Sequence, residues 1–237
     1  MDKKTDARLG ILMLDTRFPR IRGDVGNPGT WPFPVRYGVV PGATPEAIVR
    51  ADPAPFVEAF IAAGRDLVAE GCTGIATTCG FLALIRPQLA EALGVPVAAS
   101  ALEQAPQVLP LLAPGRQLGI LTISAQSLTP AHLRVAGVPE DAPLQGMEGT
   151  GFARSILGNL PTLDVAAAER EMTQAALHLA RTHPAVGAII LECTNMVPYA
   201  PSIAAATGLP VFSIYSYLRW FHEALQPRGF SDGHPRG

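Results

Sequence analysis

Short apolar runs alternate with longer stretches in which apolar residues recur at helical spacing, from Arg8 to Leu225. Arg8–Leu14, Thr73–Thr78, Val95–Ala99, Gln117–Ile123, Ala188–Leu191 and Pro210–Ile214 are brief and read as strands, with a further strand near Pro143–Gly146. Between them, Pro53–Glu70, Phe81–Leu93, Ala101–Leu112, Leu163–Thr182, Pro198–Thr207 and Tyr215–Leu225 read as helices, and Ser124–Ala136 as a turn and helix. Gly71, Gly94 and Gly208 stand where helices are expected to stop. Strands alternating with helices predict parallel sheets in an α/β fold. Residues 15–45 are rich in Pro, Gly and Arg and lack a period. So long a connection is either a lid or binding loop, or an extended surface wrap. Residues 146–151 read as a loop, and Arg228–Gly237 as a polar, frayed end.

The alternation is written twice. Gly74–Val97 lies on Ala188–Val211 without a gap, at a constant offset of 114. Ile75/Ile189, Cys79/Cys193, Pro87/Pro201, Ala90/Ala204, Ala92/Ala206, Gly94/Gly208, Pro96/Pro210 and Val97/Val211 coincide. Upstream, Leu9-Gly10-Ile11-Leu12 recurs at 118–121. The chain therefore reads as two related α/β halves with mostly parallel sheets, each presenting one thiol. Residues 1–114 together with 210–237 are expected to form the first lobe, and 115–209 the second.

Each copy carries one cysteine just past a strand end, the edge where open α/β sheets bind ligands. Two thiols straddling a Cα–H can invert that centre, one removing the proton and the other delivering one to the opposite face. A thiolate at a helix N-terminus is favoured by the dipole. Backbone N–H groups of Gly80, Phe81, Thr194 and Asn195 are candidates for holding a substrate carboxylate. Gly80 would let a ligand approach the main chain. Thr78, Thr194 and Asn195 add side-chain donors, with Thr77 beside them. Aligning the strand-one copies sets Asp15 opposite Ser124. Asp15 is a candidate for binding an amino group or orienting a thiol, against a plain loop or capping role. Thr122 and Ser124 are candidates for carboxylate binding, and Asn27 of the 15–45 segment for substrate contact. Glu192, directly before Cys193, is expected to point to the other face of its strand and to serve structure. Each cysteine also has a bland reading as a small buried core residue, and a disulfide between them is a third. Cys72 has no counterpart in the second copy (Val186) and reads as core.

Composition narrows the partners. A chain of 237 residues with 48% hydrophobic content and a mean hydropathy of +0.24 can bury a substantial core. Net charge is −2, with Lys and Arg scattered, which gives no case for nucleic acid. No apolar run is long enough for a membrane span or secretory signal, so the expectation is a soluble, cytoplasmic protein. Three cysteines fit neither a disulfide framework nor zinc spacing. The five histidines form no ligand pattern and read as surface or loop residues. No metal site and no cofactor are expected.

The Thr-Thr-Cys79-Gly-Phe and Glu-Cys193-Thr-Asn segments, with the Leu-Gly-Ile-Leu openings, resemble the aspartate/glutamate racemase superfamily, over roughly residues 8–225. That superfamily includes aspartate, glutamate and hydantoin racemases, arylmalonate decarboxylase and maleate isomerase. The resemblance implies two pseudo-two-fold related three-layer α/β lobes with mostly parallel sheets and the active site in the interlobe cleft, two-base catalysis by cysteines without pyridoxal phosphate or metal, and homodimers or higher homo-oligomers. Amino-acid racemases of the family carry Asn-Thr after the first cysteine and Gly before the second. This chain has Gly80-Phe81 and Glu192 there, and Asp15-Thr-Arg-Phe in place of the glycine-rich opening. The expectation is therefore a cofactor-independent isomerase of amino-acid metabolism, inverting the Cα of a small aspartate- or glutamate-like amino acid. The alternatives are a maleate-isomerase- or decarboxylase-like enzyme on a dicarboxylate, and a non-catalytic small-molecule-binding relative.

Overall fold

A computed structural model describes residues 7–229. His234 and the expected tail from residue 230 onward lie outside the described residues. Two four-stranded sheets organise the chain. The first contains β1 (Leu9–Leu14), β2 (Val35–Val40), β3 (Gly74–Thr77) and β4 (Val97–Ala98), in the order β2-β1-β3-β4. The second contains β5 (Gln117–Thr122), β6 (Leu144–Gly146), β7 (Val186–Leu191) and β8 (Val211–Phe212), in the order β6-β5-β7-β8. Every pairing is parallel, and the two orders are the same. Eight α-helices occur among the described residues: α1 (Val57–Ala69), α2 (Arg86–Leu93), α3 (Ala105–Val108), α4 (Pro130–Val135), α5 (Gly151–Leu157), α6 (Val165–Thr182), α7 (Ala200–Thr207) and α8 (Ile214–Leu225).

The repeated residues have repeated structural duties. Gly10 and Gly119 let a helix lie close on each sheet. A Cβ at Gly10 would come 3.1 Å from Leu67 of α1, and one at Gly119 3.0 Å from Leu179 of α6. Gly94 and Gly208 end α2 and α7 in the left-handed region, at φ 64° and 70°. Pro87 and Pro201 stand in the first turns of those helices, where no N–H partner is needed. The carbonyls of Pro96 and Pro210 accept from the Ile75 and Ile189 amides at 3.0 and 2.9 Å. Packing and chain geometry thus account for these pairs, whereas the paired cysteines stand past the strand ends and outside the sheets.

Several elements differ from expectation. Strand β2 lies inside the 15–45 segment, where flanking Pro and Gly hide Val35-Arg-Tyr-Gly-Val-Val. The boundary expected at residue 210 does not follow the sheets, because β8 pairs with β7 in the second sheet. Helix α8 then returns to the first, with Phe221 and Leu225 seated over Gly74 of β3. Helix α5 was not expected; Thr150 caps it by accepting from the Ala153 amide. The helix expected at Ala101–Leu112 is broken into short turns around Pro106 and Pro110. His132 and His222 are buried rather than superficial.

The segment before β2 bridges the two halves. Trp31 Nε1 and the Tyr37 hydroxyl both donate to the Val25 carbonyl, at 3.1 and 3.0 Å. The Trp31 ring stacks between Phe33 and Tyr215. From the second half, Asn159 accepts from the Arg17 amide at 2.6 Å and donates to the Asp15 carbonyl at 3.2 Å. Gly23 packs on Pro198, in the turn after Cys193. No helix among the described residues is long and apolar enough to cross a membrane.

Candidate active site

Cys79 and Cys193 are each the N-cap of a 3-10 turn, Gly80–Ile85 and Thr194–Tyr199, that follows β3 or β7. Both are 7% exposed, both are free thiols, and both line one narrow cleft whose water-accessible space is about 20 Å³. That is room for about one water molecule, so the site is closed around its thiols. Thr78, Gly80, Phe81, Thr194 and Asn195 line it. Among the described residues no three His, Cys, Asp or Glu side chains group as a metal site.

Other expected residues lie elsewhere. The Asp15 carboxylate accepts from the Gly42 amide at 3.0 Å, holding the turn after β2. Asn27 accepts from the Gly29 amide and donates to the Arg20 carbonyl, both at 2.8 Å. Ser124 bonds Ser127 at 3.1 Å and faces a neighbouring, more open groove. Thr122 stands behind the cleft and donates to Glu192 Oε2 at 2.8 Å.

The residues flanking the two cysteines interlock across the halves. The Thr194 hydroxyl donates to the Thr78 carbonyl at 2.7 Å. A Cβ at Gly80 would run into Glu192 Oε1 and would come 2.8 Å from the Glu192 carbonyl oxygen. The space beside Gly80 is therefore filled by Glu192, not left for ligand main-chain contact. The expectation that Glu192 points away fails because β7 ends at Leu191, so strand alternation no longer applies. Glu192 is 1% exposed and lines the cleft.

The 15–45 segment adds residues that sequence reasoning missed: Thr16, Phe18 and Arg20 line the cleft. Arg20 Nη1 pairs with Asp24 Oδ1 at 2.7 Å, and Nη2 donates to Thr16 at 3.0 Å. Its side chain is 11% exposed, and its Nε has no hydrogen-bond partner among the described residues. Asp24 also accepts from the Gly26 amide at 2.7 Å and from Asn195 Nδ2. A Cβ at Gly26 would come 2.7 Å from Arg20 Nε, so glycine there leaves the guanidinium its place. An Arg and an Asp four residues apart, followed by Gly, were the available signal.

Burial dominates the ionisation of the site. It pushes the Cys79 thiol up to about 12, with the Glu192 charge adding to it. The Phe81 and Leu82 amides and the Arg20 charge work in the opposite direction. Cys193 is raised well above the ordinary thiol range by burial and then by Glu192. Only the Asn195 amide opposes this, while Cys79 and Asp24 reinforce it. Cys193 Sγ donates to Asn195 Oδ1 at 3.6 Å. The amides of Phe81 and Asn195 are thus turned toward the thiols, not held free for a substrate carboxylate. Burial raises Glu192 to about 7, against the Thr122 hydroxyl and the Ile123 amide.

No family model matches the chain. Among curated proteins, dimethylsulfoniopropionate lyase 7 of Emiliania huxleyi (strain CCMP1516) is 30% identical over 227 residues, covering 92% of this chain and 67% of that protein. The chain belongs to the dimethylsulfoniopropionate lyase family. A further member, dimethylsulfoniopropionate lyase of Durusdinium sp. clade D, is 28% identical, with 96% of this chain and 79% of that protein covered. The chain shares its fold with solved racemases and a decarboxylase. Allantoin racemase from Klebsiella pneumoniae superposes with a TM-score of 0.62 at 15% identity, covering 96% and 97% of the two chains. Unliganded arylmalonate decarboxylase gives 0.58 at 14% identity, over 97% and 98%. Picrophilus torridus aspartate racemase gives 0.51 at 13% identity, over 92% and 93%. These structures establish the fold and not the reaction. The expected amino-acid racemase, its isomerase class and its place in amino-acid metabolism are overturned by the family's lyases, which match nearly the whole chain.

Proposed function

We propose that the protein is a lyase that cleaves dimethylsulfoniopropionate or a close β-sulfonio carboxylate. In such a substrate a sulfonium group sits on the carbon next to the one bearing the acidifiable hydrogen. A base takes the Cα proton, the new electron pair forms the C=C bond, and the C–S pair leaves with sulfur. The products are dimethyl sulfide, acrylate and one proton. A single base suffices, unlike inversion, which needs an acid on the opposite face.

The observation that carries this reading is the match of nearly the whole chain to dimethylsulfoniopropionate lyases, in a fold whose cleft holds two thiols. Cys79 has the Arg20 charge and two amide donors in its favour, whereas Cys193 has one amide donor and the Asp24 charge against it. Cys79 is therefore assigned as the base, and Cys193 as a thiol that stays protonated and shapes the opposite wall. Arg20 lines the cleft and keeps an Nε without a partner among the described residues, which makes its guanidinium the anchor for the substrate carboxylate. Neutralising that carboxylate favours the negative charge that builds up as the α-proton leaves.

The test is release of dimethyl sulfide into the headspace, followed by gas chromatography, when purified protein meets millimolar dimethylsulfoniopropionate. Equal amounts of dimethyl sulfide and acrylate are expected. Folded protein that releases neither would overturn the assignment.

A further inference from the structure

Glu192 is a buried acid with no cationic partner among the described residues, and it lines the same narrow cleft as Cys79 and Cys193. Oε2 accepts from Thr122, and Oε1 is seated against Gly80, the residue that follows Cys79. In sequence it precedes Cys193. Its charge is the second-largest influence on each thiol, after burial. The equivalent position in the first half is Thr78, so only one such acid serves the pair. We propose that Glu192 is the internal proton acceptor of the cleft, exchanging a proton with the thiols so that a thiolate forms without changing the charge of the buried site.

The step balances. The thiol S–H breaks, its proton bonds to Glu192, and a thiolate and a neutral carboxyl replace a thiol and a carboxylate. One negative charge remains throughout, and this avoids the cost of burying a second. On the lyase reading, on which this inference rests for its catalytic meaning, the substrate's Cα proton then regenerates the thiol. Glu192 sheds the net proton of the elimination to solvent as the products leave. Glu192 acts through the thiols and is a positioning residue. The groups that titrate or carry charge around it are Cys79 from the first half, Cys193 from the second, and the Arg20–Asp24 pair, which bears on the thiols from the bridging segment. Burial holds Glu192 near neutrality, where a carboxyl can both take and release a proton.

Groups coupled in this way titrate as one unit. The test needs no substrate: iodoacetamide alkylation of Cys79 and Cys193 is followed against pH, with peptide mass spectrometry locating the modified thiol. In the native chain the rate at Cys79 should rise, level off near the Glu192 step, and rise again at higher pH. In Glu192→Gln the plateau should vanish, and at about pH 9 alkylation should be on the order of tenfold faster, because the opposing charge is gone. Thr122→Val, which leaves the acid in place but removes its hydroxyl, should move the plateau to higher pH. Superimposable profiles for native protein and Glu192→Gln, or no plateau in the native protein and no shift in Thr122→Val, would overturn the proposal. Absence of dimethyl sulfide release would remove the lyase reading alone and leave this titration standing.

Discussion

The two halves share strand order, helix packing glycines and cysteine position, yet the residues on either side of each cysteine are chemically different. Thr78 in the first half corresponds to Glu192 in the second, and Gly80 corresponds to Thr194. Each difference is answered across the cleft. Thr194 bonds the Thr78 carbonyl, and Glu192 fills the space that Gly80 leaves. A duplicated scaffold thus presents two thiols at equivalent places while giving them unequal surroundings. Position alone argued for symmetric chemistry; the flanking residues argue for one base and one spectator.

The sharpest way to break the comparison is to remove each thiol in turn. Cys79→Ser is expected to lower kcat for dimethylsulfoniopropionate cleavage on the order of 10³-fold, the range for loss of a general base. Cys193→Ser should lose much less. Equal losses would restore the symmetric picture. Next in size, Arg20→Met should raise KM by roughly 10- to 100-fold, the worth of a charge-assisted hydrogen bond. An unchanged KM would place the carboxylate elsewhere.

A stability measurement separates the halves without substrate. Folded Glu192 binds its proton up to about pH 7, whereas the unfolded group has its ordinary value of 4.5. The folded state therefore holds more protons between those values, and the stability contributed by this group is full below 4.5 and lost as pH rises through 7. The loss amounts to about 3 kcal/mol by linkage. Glu103, which burial also raises to about 7, adds a loss of the same sign, and His132, lowered to about 4 by burial, acts oppositely. Urea unfolding of native protein and Glu192→Gln at about pH 5 and pH 8 isolates the Glu192 share. The difference between them should move in favour of Gln by about 3 kcal/mol; a constant difference would mean that the acid keeps its ordinary titration. The smallest effect is expected from Thr194→Val, which strips the Thr78 carbonyl of a buried partner and should cost about 1–2 kcal/mol of stability. No loss by thermal or urea unfolding would show that this cross-half bond is dispensable.

Much of the fold was legible because the repeated residues are the ones that packing requires twice. Gly10 and Gly119 under their helices, and Gly94 and Gly208 at helix ends, mark the same architecture in both copies. The coincidence of Val97 with Val211 already carried the equivalence of β4 and β8, although the lobe boundary drawn at residue 210 set it aside. The site was legible only where it belongs to the repeat. Arg20 and Asp24 come from a segment with no period, and their placement depends on contacts with Asn195 and Gly26 that no local pattern announces. Asp15 and Asn27 were sound choices by residue type, but turn geometry consumes their polar atoms. Strand alternation does not reach Glu192, which lies one residue past the strand end at Leu191 expected from the sequence and found in the fold.

The central claim is that the paired-thiol cleft performs an elimination. The most direct test is proton NMR in D2O of one sample holding the protein, dimethylsulfoniopropionate, L-aspartate and L-glutamate. Vinyl signals of acrylate should grow in step with dimethyl sulfide while both amino acids keep their Cα–H signals. Loss of an amino-acid Cα–H signal with dimethylsulfoniopropionate intact would contradict the account.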